Sequence, residues 1–267
     1  MRASARRRGF LAPILWIPAG IALALLGLPL VGLVIRAPWS RLPALLADST
    51  VLSALGLSLL TGVLSTAISL VLGIPLALVL ARSAQWSAVP RRLLRALVTV
   101  PLVLPPVVGG VALLLLLGRR GVIGQFLPFQ IPFSTAAVVI AQTFVAMPFL
   151  VLAVEGALRA SDRRFEVAAA TLGASRLTVF RRITLPLVMP GIGAGALLCF
   201  CRALGEFGAT ITFAGSFPGV TQTLPIATYL QLQTDPDAAI ALSIVLLMVS
   251  VAVLVSLRDR WVPGVVS

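Results

Sequence analysis

The sequence predicts an all-α, polytopic membrane protein with six transmembrane helices, and three observations lead there. The chain is 59% hydrophobic and only 11% charged, with a mean hydropathy of +1.09. A soluble chain of 267 residues with that composition has too little polar surface to cover its core. The apolar residues also fall into runs of roughly 20 or more, the length a helix needs to cross about 30 Å of hydrocarbon. Finally, the arginines gather between those runs on one side.

The six runs are Leu11–Ile35, Val51–Ala81, Ala96–Gly118, Ala136–Leu158, Leu187–Phe213 and Ala238–Leu257. The first follows an N-terminal arginine cluster, as a signal peptide would. It continues for about 25 residues without a convincing small-residue cleavage site, so it reads as a retained span. The second is longer than a bilayer requires and is expected to tilt or project. Pro101, Pro105 and Pro106 open the third, and Pro186 and Pro190 open the fifth. Both openings read Pro-Leu-Val-x-Pro, either as an internal repeat or as prolines tolerated at helix starts.

All 21 basic residues are arginine, and the net charge is +13. Sixteen arginines fall on one side of the runs: Arg2, Arg6, Arg7, Arg8; Arg82, Arg91, Arg92, Arg95; Arg159, Arg163, Arg164, Arg176, Arg181, Arg182; Arg258 and Arg260. Four fall on the other, Arg36, Arg41, Arg119 and Arg120, and Arg202 lies inside a run. The charge therefore reports topology rather than nucleic-acid binding. The positive-inside rule places both termini in the cytoplasm. With no lysine the chain cannot form a P-loop. With no histidine it offers no His-based relay, base or metal site. Cys199 and Cys201 lie two apart in an apolar helix and read as packing residues, not a disulfide. No catalytic residue, metal site or cofactor is expected in this chain.

The polar loop from Arg159 to Pro186 is the most informative segment. Ser161 or Asp162 can cap a helix over Arg163–Leu172, with Glu166 near its positive end. Ala168, Ala169 and Leu172 fall on one face of it, and Gly173 ends it. A second short helix is expected over Ser175–Ile183, before Leu185-Pro186 starts the next span. By pattern alone this is either an amphipathic connector on the lipid surface or a docking element.

The loop resembles the so-called EAA loop of permease subunits of ABC importers. That pattern is Glu-Ala-Ala, three residues, Gly, nine residues, Ile-x-Leu-Pro. Here Ala168, Ala169, Gly173, Ile183, Leu185 and Pro186 stand in register, while the glutamate slot holds Val167 and the glutamate is one earlier, at Glu166. The resemblance covers roughly Val51 to Leu257, with the first span as an addition. It implies a permease domain over 51–257 with a coupling loop at 159–186, preceded over 1–50 by a tail, the first span and an external loop. A short cytoplasmic tail, 258–267, follows, and no appended regulatory domain is expected. It further implies that the loop seats in a separate ATPase subunit, which binds the ATP and magnesium.

The fifth run carries Arg202 and Glu206, four apart and so expected on one helical face, with Gly205 and Gly208 beside them and Thr210 following. Charges inside a span each cost roughly 2.5–3.5 kcal/mol on insertion scales. They either form a structural pair between helices or subunits or belong to the pathway or its gate. Downstream, Thr223 and Pro225 suggest a short surface helix ending near Gln233, and Asp235-Pro236-Asp237 caps the last span.

Arg202–Thr210, Thr221–Pro225 and Pro101–Pro106 together resemble the oxyanion permeases, molybdate permeases most closely and sulfate permeases next. The resemblance implies a homodimer in the bacterial inner membrane, with two copies of an ATPase and an extracytoplasmic binding protein delivering molybdate or tungstate. Sulfate or thiosulfate import, and a stand-alone secondary transporter or channel, are the alternatives.

Overall fold

A computed structural model describes residues 15–162 and 164–261. The predicted starting residues of the first span, 11–14, and the arginines at 2, 6–8 and 163 lie outside them. Every regular element among the described residues is helical. Five helices are long and apolar enough to cross a membrane, and six crossings result when the bent pair Ala88–Val103 and Pro106–Leu117 is counted as one span.

Helix α1 (Trp16–Ile35) has no buried residue. After the short α2 (Leu42–Leu46), helix α3 (Ser49–Arg82) begins where Asp48 accepts a hydrogen bond from Thr50 N at 2.7 Å. Its 34 residues reach about 51 Å at 1.5 Å per residue, longer than the roughly 30 Å of hydrocarbon. Ser58, Thr61, Ser65 and Ser69 form a buried stripe along it. Their small side chains allow close helix contact, and Ser65 meets Thr143 of the fourth span across 3.1 Å.

The third span is not one rod. Helix α4 (Ala88–Val103) and helix α5 (Pro106–Leu117) meet at 116°. Pro105 bars the helical conformation at Leu104, whose ψ is 132°, and Pro106 restarts the helix at a position where its missing N–H is harmless. Pro101 is carried inside α4. Helix α6 (Thr135–Ala160) is the fourth span and the most buried, with 67% of its apolar window enclosed.

In the loop, α7 (Arg164–Thr171) and α8 (Arg176–Val179) follow expectation, with Asp162 accepting from Arg164 N at 2.9 Å. The expected separation at Leu185-Pro186 is absent. A π-helical turn, Phe180–Thr184, joins α8 directly to α9 (Leu185–Leu204), giving one 29-residue rod. Proline has no N–H to give and its ring crowds the carbonyl four residues back, and the wider turn relieves both.

The fifth span also differs from a straight Leu187–Phe213 helix. It stops at Gly205 and resumes as α10 (Gly208–Ala214). Helix α11 (Leu224–Thr234) is a surface helix only in its second half, where Tyr229 and Leu232 are exposed; its first half is enclosed. Leu224, Ile226 and Ala227 are buried, and its first N–H is taken by Ser58 Oγ at 2.7 Å rather than by the Thr223 side chain. Helix α12 (Pro236–Trp261) is capped by Asp235, which accepts from Asp237 N and Ala238 N.

Helices α3, α6 and α9 enclose the main core around Leu80, Leu150, Val154 and Ile192. A second cluster joins α5, α6 and α10 around Phe213. A third joins α3, α11 and α12.

Candidate functional sites: an exposed loop and a pair of helix breaks

The loop divides its residues into two sets. Gly173 ends α7 with φ +83°, and its N–H and that of Ala174 return to Ala170 O and Ala169 O, the glycine stop expected there. Leu172 is 88% exposed, and Ala168, one turn earlier, is open as well. Phe165, Val167 and Leu177 extend this apolar surface. A Cβ built on Gly173 would meet nothing within 4 Å. Ala169 is half-buried, so the predicted Ala168–Ala169–Leu172 face is only partly outward.

The other set anchors. Glu166 is half-buried and its Oε1 accepts from Thr184 Oγ1 at 2.6 Å, tying α7 to the π-helical turn. Ile183 is half-buried, Leu185 packs on the main core, and Pro186 is exposed. The one-residue shift of the glutamate thus gives it an internal partner. A cavity of about 620 Å³ opens beneath α7, lined by Leu78, Arg82, Glu166, Leu177, Phe180 and Thr184.

At the α9–α10 break, Arg202 Nη1 lies 2.6 Å from Glu206 Oε2, and Glu206 is 1% exposed. The two are not on one helical face, because Glu206 sits in the non-helical gap. Its other oxygen accepts from Ala209 N at 2.8 Å, capping α10. This carboxylate therefore takes one N–H of the first turn of α10 and holds the Arg202 guanidinium, which leaves the pair balanced in charge. Gly205 is exposed, while Gly208 and Thr210 are buried. A Cβ on Gly208 would come within 2.8 Å of Pro106. The two broken spans thus meet at their breaks, a proximity invisible in the sequence.

Sequence reasoning passed over two buried polar groups. Gln142 of α6 is fully buried and carries no local signature. Glu155 of α6 is 3% exposed and pairs with Arg159 and Arg95. The Glu155–Arg159 spacing, four residues with the acid first, was a legible signal; Arg95 lies 60 residues away and was not. Among the described residues no cluster of three or more His, Cys, Asp or Glu could hold a metal.

Residues 73–263 match the family described as binding-protein-dependent transport system inner membrane component. The chain is 51% identical over 248 residues to the molybdenum transport system permease protein ModB of Mycobacterium tuberculosis, covering 92% of this chain and 93% of that one. It is 34% identical over 238 residues to the sulfate transport system permease protein CysT of Salmonella typhimurium, covering 86% and 85%. Among solved structures, a chain of a bacterial alginate ABC transporter, crystallised with its pentasaccharide-bound periplasmic protein, superposes with a TM-score of 0.72. The two chains are 18% identical, with 95% and 94% covered.

Proposed function

Since the chain belongs to the family of binding-protein-dependent transport system inner membrane components, we propose that it is the membrane-spanning permease subunit of an ATP-driven molybdate importer. The carrying observation is the loop between α6 and α9. It presents Leu172, 88% exposed, beside a glycine stop with open space around it, in a chain with no lysine for a P-loop of its own. Such a surface suits a separate ATPase, and family membership sets the stand-alone transporter aside.

Two ATPase copies, a second copy of this permease and an extracytoplasmic binding protein complete the assembly. The chain is multi-pass. The arginine-rich face, with both termini, lies in the cytoplasm, where the coupling loop meets the ATPase. ATP-driven closure of the ATPase pair pushes on α7 and favours the outward-facing arrangement, and hydrolysis releases it. This requires nucleotide to bind the two arrangements with different affinity. Glu166, Ala168, Ala169, Leu172, Gly173, Ile183, Leu185 and Pro186 form the coupling element. Arg202, Gly205, Glu206, Gly208 and Thr210 form part of the pathway's gate, the charge-balanced pair fitting a latch better than an anion-binding site.

Molybdate is favoured over sulfate by the 51% identity to a molybdenum permease against 34% to a sulfate permease. The test is ATP hydrolysis by the reconstituted complex with molybdate-loaded or sulfate-loaded binding protein. Stimulation by the molybdate-loaded form alone is expected. Equal stimulation would broaden the substrate to oxyanions, and failure of any ATPase subunit to copurify would overturn the coupling role.

A further inference from the structure

Glu155 lies one turn before the coupling loop and is 3% exposed. Its Oε1 accepts from Arg159 Nε at 2.8 Å and from Arg95 Nη2. Both arginine side chains are 48% exposed, so the carboxylate is the buried member of a three-charge cluster. Arg159 leads into the coupling loop, and Arg95 belongs to α4.

Helix α4 is held lightly. Val98 is its one buried residue, and Leu94 packs beside it on the main core. Leu94, Arg95 and Val98 lie along one face, so the ion pair is a large share of what fastens α4 to α6. Helix α6 does not need it, since Leu150, Val151 and Val154 already bury that end. Beyond its attachment α4 runs to the 116° bend at Leu104–Pro105. There Pro106 abuts Gly208, two residues from Glu206.

We propose that Glu155 is a positioning residue for transport. By pairing with Arg95 across the helices and with Arg159 within the last turn of α6, it ties to α4 the end of α6 from which the coupling loop leaves, so that movement of the loop swings the bent third span and shifts the contact between the two helix breaks. The proposal rests on the permease reading above and adds to it the residue through which loop and breaks communicate.

The experiment measures molybdate uptake and phosphate release in the same proteoliposomes, holding the full complex with its ATPase and molybdate-loaded binding protein. Arg95→Gln alters a half-exposed side chain, and the protein is expected to fold. Uptake should fall on the order of tenfold while hydrolysis stays within about twofold, lowering molybdate moved per ATP. Arg95→Lys should restore most of the ratio, and Glu155→Gln should reproduce the loss. An unchanged ratio in Arg95→Gln, or uptake and hydrolysis falling in parallel, overturns the positioning role. A wild-type complex that hydrolyses ATP without moving molybdate overturns the functional reading, and this proposal with it. Wild-type uptake with an unchanged ratio in the variant overturns this proposal alone.

Discussion

At Glu206 one carboxylate performs two tasks, pairing with Arg202 and capping α10 through Ala209 N. Glu206→Gln separates them, since an amide oxygen can still accept from Ala209 while the charge is gone. Removing one partner of a fully buried pair costs about 3–5 kcal/mol; Arg202 keeps 28% side-chain exposure, so the cost here is smaller. The variant is expected to reach the membrane and copurify with the ATPase while uptake falls. If it is lost from the membrane instead, the pair serves assembly. At Gly173 the argument runs through the backbone. Its φ of +83° costs a side-chain-bearing residue about 1–2 kcal/mol, but a side chain there meets nothing in this chain. Gly173→Asp should therefore leave the membrane level intact and abolish both uptake and ATPase copurification. A variant that still transports counts heavily against the coupling surface.

Among elements, α6 and α9 approach closely through small residues. A Cβ on Gly191 would collide with Ala157, and one on Gly195 would lie 3.0 Å from Ala153. Small residues one turn apart let the two helices pack closely, glycine against alanine Cβ. Gly191→Leu should lower the thermal midpoint in detergent, consistent with about 1–3 kcal/mol of overpacking. Gly20→Leu in α1, where no neighbour lies within 4 Å, should leave it unchanged. Equal stability of the two variants would mean that α9 slides freely on α6. The α4–α5 and α9–α10 breaks belong to this scale as well. Each was present in the sequence, as Pro105-Pro106 in one and as Gly205 beside Glu206 in the other, yet each was assigned to a continuous span, because local propensity marks a weak point without fixing the angle.

Among the described residues, the ion pairs other than Arg202–Glu206 sort to two ends of the molecule. Arg41 pairs with Asp237 at 3.5 Å on one, and the Arg95–Glu155–Arg159 cluster lies toward the other. With Cys199 and Cys201 replaced by alanine, an impermeant maleimide applied to intact cells should label Arg119→Cys. It should label Arg176→Cys only after permeabilisation. The reverse pattern would invert the topology.

The sequence by itself determined the class, the apolar runs and the place of the exposed loop. Each depends on local quantities: the length of an apolar run, the side on which arginines collect, and Gly173 with the Ile183–Pro186 register. It also marked the Arg202–Glu206 pair and the Asp235 cap, whose partners lie within four residues. Only the tertiary structure decided that Pro106 meets Gly208, that the first turn of α11 is buried against Ser58, that Glu166 is held by Thr184, and that Glu155 reaches Arg95. Those contacts join residues far apart in the chain. They are settled by helix packing, in which small residues and buried hydroxyls select which faces meet, and no local pattern carries that choice.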